Sequence, residues 1–171
     1  SVQRPTQFDP ANPDARWAPG RLYLGVCGFG SRLKSVQARV FITLLAAGKR
    51  LFDRYGDDAD PYLTMVGYYS ALRELAGGRR LVDDDVRSRL YAAERRGLGK
   101  RTLRVVEELT SRKASTDIPA ILDQLGQPFT KAGEDAYAAK KLPVNAASDS
   151  GLAVGYRPID VLLATNMISV G

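Results

Sequence analysis

The chain has 171 residues, 44% of them apolar and 26% charged, the proportions of an ordinary globular domain able to bury a core. Its 25 Lys and Arg outweigh 19 Asp and Glu, and the net charge of +6 favours polyanionic partners without requiring one. One cysteine, Cys27, and no histidine exclude an internal disulfide, leave almost no route to a zinc site, and rule out a Ser-His-Asp or Cys-His mechanism supplied by this chain alone.

In chain order, residues 1–20 come first, with Pro5, Pro10, Pro13 and Pro19 and few apolar side chains. They read as an extended linker or arm, because proline fixes φ and supplies no amide donor. The segment lacks the basic-then-apolar pattern of a signal peptide, and no later run reaches the roughly 18 apolar residues of a membrane span. A cytoplasmic protein with no membrane partner is expected. Arg21–Val26 reads as a strand, and Gly25, Gly28 and Gly30 as a turn. A helix follows from Ser31, with Leu33, Val36, Val40, Leu44, Leu51 and Tyr55 on one apolar face, ending at Gly56 and Asp57.

Tyr62–Tyr69 is apolar almost throughout, the pattern of a strand covered on both faces. Ser70 can cap a short helix, Ala71–Ala76, that stops at Gly77 and Gly78. Leu81, Val82, Val86, Leu90 and Ala93 mark another helix ending near Gly97, with Asp83, Asp84 and Asp85 in its first turn to complement the dipole. A short strand is expected around Val105 and Val106. Ser115, Thr116 or Asp117 caps the next helix, with Pro119 in its first turn and Gly126 at its end. Residues 127–158 are polar and rich in small side chains, and read as a mobile insertion with a helix possible over Glu134–Lys141. Ile159–Thr165 is the last strand. The alternation predicts an α/β fold, a parallel sheet with helices on both faces. Such sheets bind ligands at the C-terminal ends of their strands.

Four strand-end loops follow from that rule. Gly25–Lys34 has glycines at phosphate-loop spacing, but Ser31 and Arg32 stand where Lys and a hydroxyl residue belong, and Leu33 replaces the third glycine of a dinucleotide fingerprint. It is either a tight turn or a helix start holding an anion with Arg32 and Lys34. At the second loop Ser70 either caps a helix or grips a phosphate. The third loop packs Thr110, Ser111 and Ser115 with Arg112 and Lys113, groups that hold a nucleic-acid backbone without reading its sequence. The fourth ends a buried strand in Thr165 and Asn166 and turns toward Gly171.

Val161–Gly171 (VLLATNMISVG) resembles motif V of superfamily 2 helicases, where an apolar strand runs into Ala-Thr and then a Gly-aliphatic-Asp element. Val66–Leu75 resembles motif IV, and Leu109–Ser115 the threonine-bearing segment after the following strand. Together, VGYYSALREL, ELTSR and VLLATNMISVG resemble the helicase subunit of DISARM-type phage-defence systems over most of residues 21–126 and 158–171. The resemblance implies a RecA-like, P-loop NTPase-like second helicase lobe at 21–171, incomplete at its C-terminus. It implies nucleic-acid contacts at Thr165, Thr110 and Ser111, with Ser70 a further contact, and places Gly171 on the nucleotide side. ATP and magnesium would come mainly from a first lobe in the same or another chain. A DNA or RNA strand and other phage-defence subunits would be the partners.

The chain departs from the full helicase pattern. It has no phosphate loop, no magnesium-binding Asp-Glu pair on a strand, and no motif VI arginine, and it stops before the motif V aspartate. A fragment, truncated product or split-protein piece that does not turn over ATP by itself is expected. Two other readings stand beside it: a non-enzymatic α/β module binding nucleic acid or protein, and a small-molecule phosphate enzyme built on Gly25–Lys34.

Overall fold

The computed structural model describes residues 23–114, 116–139 and 157–165. The arm expected at 1–20 lies outside them. The chain divides into two units, Ser1–Leu33 and Lys34–Gly171. In the first, the expected turn is present: the Ser31 amide donates to the Gly28 carbonyl at 3.1 Å, with Gly30 at φ +68°. The expected strand at Arg21–Val26 is not formed over its described residues, since 23–28 are irregular. An extended run becomes a strand only through a hydrogen-bonding neighbour, and Gly25 weakens any intrinsic preference for one.

The second unit is built on a three-stranded sheet of β1 (Met65–Tyr69), β2 (Val106–Leu109) and β3 (Val161–Thr165), in the order β1-β3-β2. Both pairings are parallel, with Met65 and Val106 each opposite Val161. β3 is apolar along its length because it is central, and all five of its residues are buried. Val161 and Leu163 face a core shared with Leu45, Leu75, Val82, Val86 and Leu90. Leu162 and Ala164 face the other way, against Leu109, Ile121 and Ile159. The expected α/β sheet with helices on both faces is therefore present. β1 departs from expectation: Val66 is 40% and Tyr68 64% exposed. It is an edge strand, and α4 (Asp117–Leu125) packs over β2 and the Leu162 face of β3 instead. Of its expected first residues, Tyr62 closes the 3-10 turns of Gly56–Tyr62, and Leu63 and Thr64 lie ahead of the strand.

α1 (Leu33–Tyr55) ends at Gly56 as its sequence indicates, but on a different buried stripe. Leu44 and Tyr55 are exposed, while Ala38, Leu45, Ala46, Gly48 and Phe52 are buried. Close backbone approach decides this. A Cβ on Gly48 would lie 2.5 Å from the Tyr62 carbonyl oxygen, and one on Gly99 would lie 2.9 Å from that of Ala46. The small side of α1 goes inward because only it lets the neighbouring chain come so near.

The helix after β1 does not stop at Gly77 and Gly78. α2 (Leu72–Arg80) runs through them into a widened turn, Leu81–Val86, then α3 (Arg87–Tyr91) and a tight turn ended by Gly97 at φ +71°. Gly78 serves packing, since a Cβ there would sit 2.1 Å from the Tyr69 hydroxyl. Because the helix is continuous, Asp83–Asp85 are not at an N-terminus. Asp83 bonds Arg79 (2.7 Å) and Arg87 (3.0 Å), and Asp85 pairs with Arg89 (3.5 Å). Arg79 also donates to the Val106 carbonyl at 2.8 Å, fastening the helix to β2. Burial acts to raise the Asp83 pKa, but the hydrogen bonds and charges of Arg79 and Arg87 outweigh it and hold the carboxyl below its ordinary value.

Behind the strands, Arg101 and Asp160 form a buried ion pair, Nη2 to Oδ1 at 2.9 Å, each side chain 5% exposed. Arg101 also donates to the Leu63 carbonyl (2.7 Å). The other oxygen of Asp160 accepts the amides of Arg104 (2.8 Å) and Val105 (3.0 Å). One pair thus ties together the chain entering all three strands. Of the segment expected to be a mobile insertion, residues 127–139 are described and packed. Phe129 is buried with Phe52, Ala59 and Leu63, its amide donating to Asp60 (2.7 Å). α5 (Lys131–Ala138) starts at Thr130, whose hydroxyl accepts from the Gly133 amide. Residues 140–156 lie outside the described set. Among the described residues no helix is long and apolar enough to cross a membrane.

Asp160→Ala should cost about 3–5 kcal/mol in urea unfolding, since it strands a buried guanidinium and frees two amides. Gly77 and Gly78 should respond with opposite signs. Nothing lies within 4 Å of a Cβ at Gly77, so Gly77→Ala should gain up to about 1 kcal/mol of helix propensity, whereas Gly78→Ala should lose about 1–3 kcal/mol to overpacking. The depressed Asp83 pKa stabilises the fold above the unfolded carboxyl pKa of about 3.9, and this contribution is lost as pH falls through the lower folded value. Asp83→Asn should therefore flatten the acid limb of a stability-versus-pH curve.

Candidate functional site

Because the three strands are parallel, their C-terminal ends share one edge. Tyr69 lies opposite Thr165, and Leu109 opposite Ala164. Continuing the second ladder by one residue sets Thr110 beside Thr165, and Ser70 comes just after Tyr69. Both threonines are buried, 6% and 5% exposed. The turn after β2 is closed by the Lys113 amide donating to the Thr110 carbonyl (3.1 Å), and the Arg112 amide makes a long bond to the Thr110 hydroxyl oxygen (3.4 Å). That leaves the Thr110 hydroxyl proton free to be donated. Among the described residues the buried Thr165 hydroxyl has no hydrogen-bond partner, an arrangement that a folded domain keeps at a cost unless another group or water completes it.

A cleft of about 250 Å³ opens between this turn and the start of α2, lined by Leu72, Leu75 and Ala76 on one side and Glu108, Thr110, Arg112 and Lys113 on the other. Glu108 lies 3.8 Å from Arg79, and Lys113 3.6 Å from Glu107. Among the described residues no carboxylate comes within ion-pair reach of Arg112, which is exposed and gives the edge its positive charge.

The sequence-predicted residues are therefore only partly brought together. Thr110 and Arg112 line the cleft, Thr165 ends the neighbouring strand outside its wall, and Ser111 is exposed on the turn. Ser70 does not cap α2. The N-cap position belongs to Ala71, and the Ser70 hydroxyl donates to the Glu74 carboxylate at 2.6 Å. Gly171 lies outside the described residues. Among those residues no three His, Cys, Asp or Glu side chains converge to hold a metal ion.

Sequence reasoning missed a second pocket, of about 220 Å³, at the opposite edge of the sheet. Arg101, Arg104, Arg157 and Asp160, the charged residues immediately before β2 and β3, line it together with Lys49 and Lys100. The available signal was the run of charge directly ahead of two buried strands, which reads from sequence alone as a solvated flank.

No protein-family model matches the chain. Its sequence is 34% identical over 157 residues to the DISARM protein DrmA of Bacillus paralicheniformis, an alignment covering 90% of this chain and 12% of that protein. The similarity agrees with the DISARM resemblance carried by Val66–Leu75, Leu109–Ser115 and Val161–Gly171. Over nine-tenths of its length, the chain is related to one short part of a DISARM protein.

Proposed function

We propose that the chain is the nucleic-acid-contacting second RecA-like lobe of a superfamily 2 helicase or translocase, working in a DISARM-type phage-defence system. One observation carries this reading: Thr110 and Thr165 stand side by side at the C-terminal edge of a parallel sheet, next to Arg112, and among the described residues Arg112 has no carboxylate partner and the Thr165 hydroxyl no hydrogen-bond partner. The defence context is supported by the similarity to DrmA.

In this reading the two threonine hydroxyls donate to successive phosphates of one DNA or RNA strand. Ser111 adds a hydroxyl and Arg112 a charge. Ser70 extends the track once its hydroxyl turns away from Glu74. None of these groups reads a base edge, so the grip is independent of sequence. Gly171 belongs to the nucleotide side. ATP and magnesium are held mainly by a first lobe, in the same or another chain, and the two lobes ratchet along the strand by opening and closing. Other phage-defence subunits are the further partners.

Thr165→Val separates stability from binding. Replacing an unsatisfied hydroxyl with a methyl of the same shape should leave stability unchanged or raise it by about 1 kcal/mol, read by thermal unfolding. The same change combined with Arg112→Ala should weaken single-strand binding about tenfold in fluorescence anisotropy, the scale of one lost charge-assisted hydrogen bond. Wild-type affinity should fall steeply as salt rises from about 50 to about 200 mM. Unchanged affinity in the double variant would sink the reading. Strand-stimulated ATPase activity on adding an ATP-binding first lobe would mark a helicase lobe, and strand binding without it a plain binding module.

A further inference from the structure

The pocket at the N-terminal edge of the sheet is enclosed by α1, by the segments entering β2 and β3, and by the start of α5. Five cations line it, Lys49, Lys100, Arg101, Arg104 and Arg157, against two carboxylates, Glu134 and Asp160. The carboxylates are already committed. Asp160 holds Arg101 and two backbone amides, and Glu134 takes one Arg157 nitrogen at 2.6 Å. Lys49 is bonded to Asp53. Among the described residues no carboxylate lies within ion-pair reach of Lys100 or Arg104, both exposed at the pocket rim.

Arg157 is the most buried of the cations whose charge the Arg101–Asp160 pair does not match. It is 6% exposed, and among the described residues its buried Nε has no acceptor. Two contacts hold the side chain in place: the Tyr137 ring packs on the guanidinium at 4.5 Å, and Glu134 takes its Nη2. Burial lowers the Arg157 pKa. Glu134 works against that, and the nearby Arg104 charge adds to it. A buried donor without an acceptor, crowded by a second guanidinium, is relieved most by an anion with several acceptor oxygens.

We propose that this pocket is a binding site for a phosphate group, as inorganic phosphate or a phosphate monoester, with Arg157 donating from the base and Arg104 and Lys100 closing over it from the rim. Phosphate fits better than a carboxylate because guanidinium forks and ammonium groups approach from several directions, and a dianion accepts from all of them. Thr102, exposed at the rim, offers a further hydroxyl. Phe52, Leu63 and Phe129 form the apolar part of the wall. The site stands at the opposite end of the strands from Thr110 and Thr165 and does not depend on the reading given to them.

Isothermal titration of the full chain with inorganic phosphate, against chloride at matched ionic strength, tests the proposal. Binding with a rise in Tm is expected in phosphate and not in chloride. Arg104→Gln combined with Lys100→Gln, both at exposed positions that leave the fold intact, should weaken it about tenfold or more, the scale of a lost charge-assisted hydrogen bond. Thr165→Val should leave it unchanged. Equal Tm in the two salts, or equal phosphate affinity in the double variant, would overturn the proposal. Competition by an oligonucleotide carrying a 5′-phosphate, and not by its dephosphorylated form, would identify a strand end as the source. Competition by neither would identify a small phosphate compound. Equal competition by both would make the pocket a general polyanion surface and overturn it as well.

Discussion

The ion pair between Arg101 and Asp160 is the constraint on which the rest of the unit hangs. Two charges taken out of water are stable only when every remaining donor and acceptor is matched, and here nearly all are. Asp160 precedes the central strand, receives the amides that lead into β2, and passes its own carbonyl to Met65 at the start of β1. Arg101 reaches back to Leu63. An apolar pair could fill the same volume, but it could not set the relative heights of three strands. The parallel register that brings Thr110 beside Thr165 is therefore decided at the far end of the sheet.

That division gives the two edges different characters. At the N-terminal edge one ion pair, Arg101 with Asp160, is buried and matched, and the remaining charge is a cationic excess. At the C-terminal edge the polar groups are hydroxyls and amides, with Arg112 supplying charge from a turn. The first arrangement suits a small, highly charged ligand held in one pose. The second suits a chain that slides past, since hydroxyl and amide contacts to phosphate are individually modest. The helix between β1 and β2 links these ends. Its Arg79–Asp83–Arg87 ladder fixes it along β2, and Gly78 lets Tyr69 lie flush against it.

Much of this was legible from sequence, and the failures share one cause. The apolar runs Tyr62–Tyr69 and Ile159–Thr165 announced strands that form over Met65–Tyr69 and Val161–Thr165, and Gly97 announced a helix end, because those signals are local. The buried side of α1 was not legible. Leu44 and Tyr55 form a plausible stripe, and only the approach of Tyr62 and Gly99 selects Ala38, Gly48 and Phe52 instead. Gly77 and Gly78 look like a stop signal until Tyr69 is seen to need the space. Asp83–Asp85 look like an N-terminus until the helix is seen to be continuous. For the site, the rule that parallel sheets bind at their C-terminal ends led to Thr110, Arg112 and Thr165. The same rule drew attention away from Lys100, Arg104 and Arg157, whose positions ahead of strands carry no comparable signal.

The strand order has a consequence for how the chain acquires its structure. β1 and β2 do not pair with each other, and among the described residues each finds its only strand partner in β3. Thr64, beside the first strand, is bonded to Ile159, 95 positions later. During synthesis both outer strands must wait, with Val66, Tyr68 and Leu109 unpaired, until β3 emerges. Contacts this distant in sequence slow folding and leave apolar edges open meanwhile. The α2–α3 helix, whose contacts are local, is free to form early and shield part of β1 during that interval.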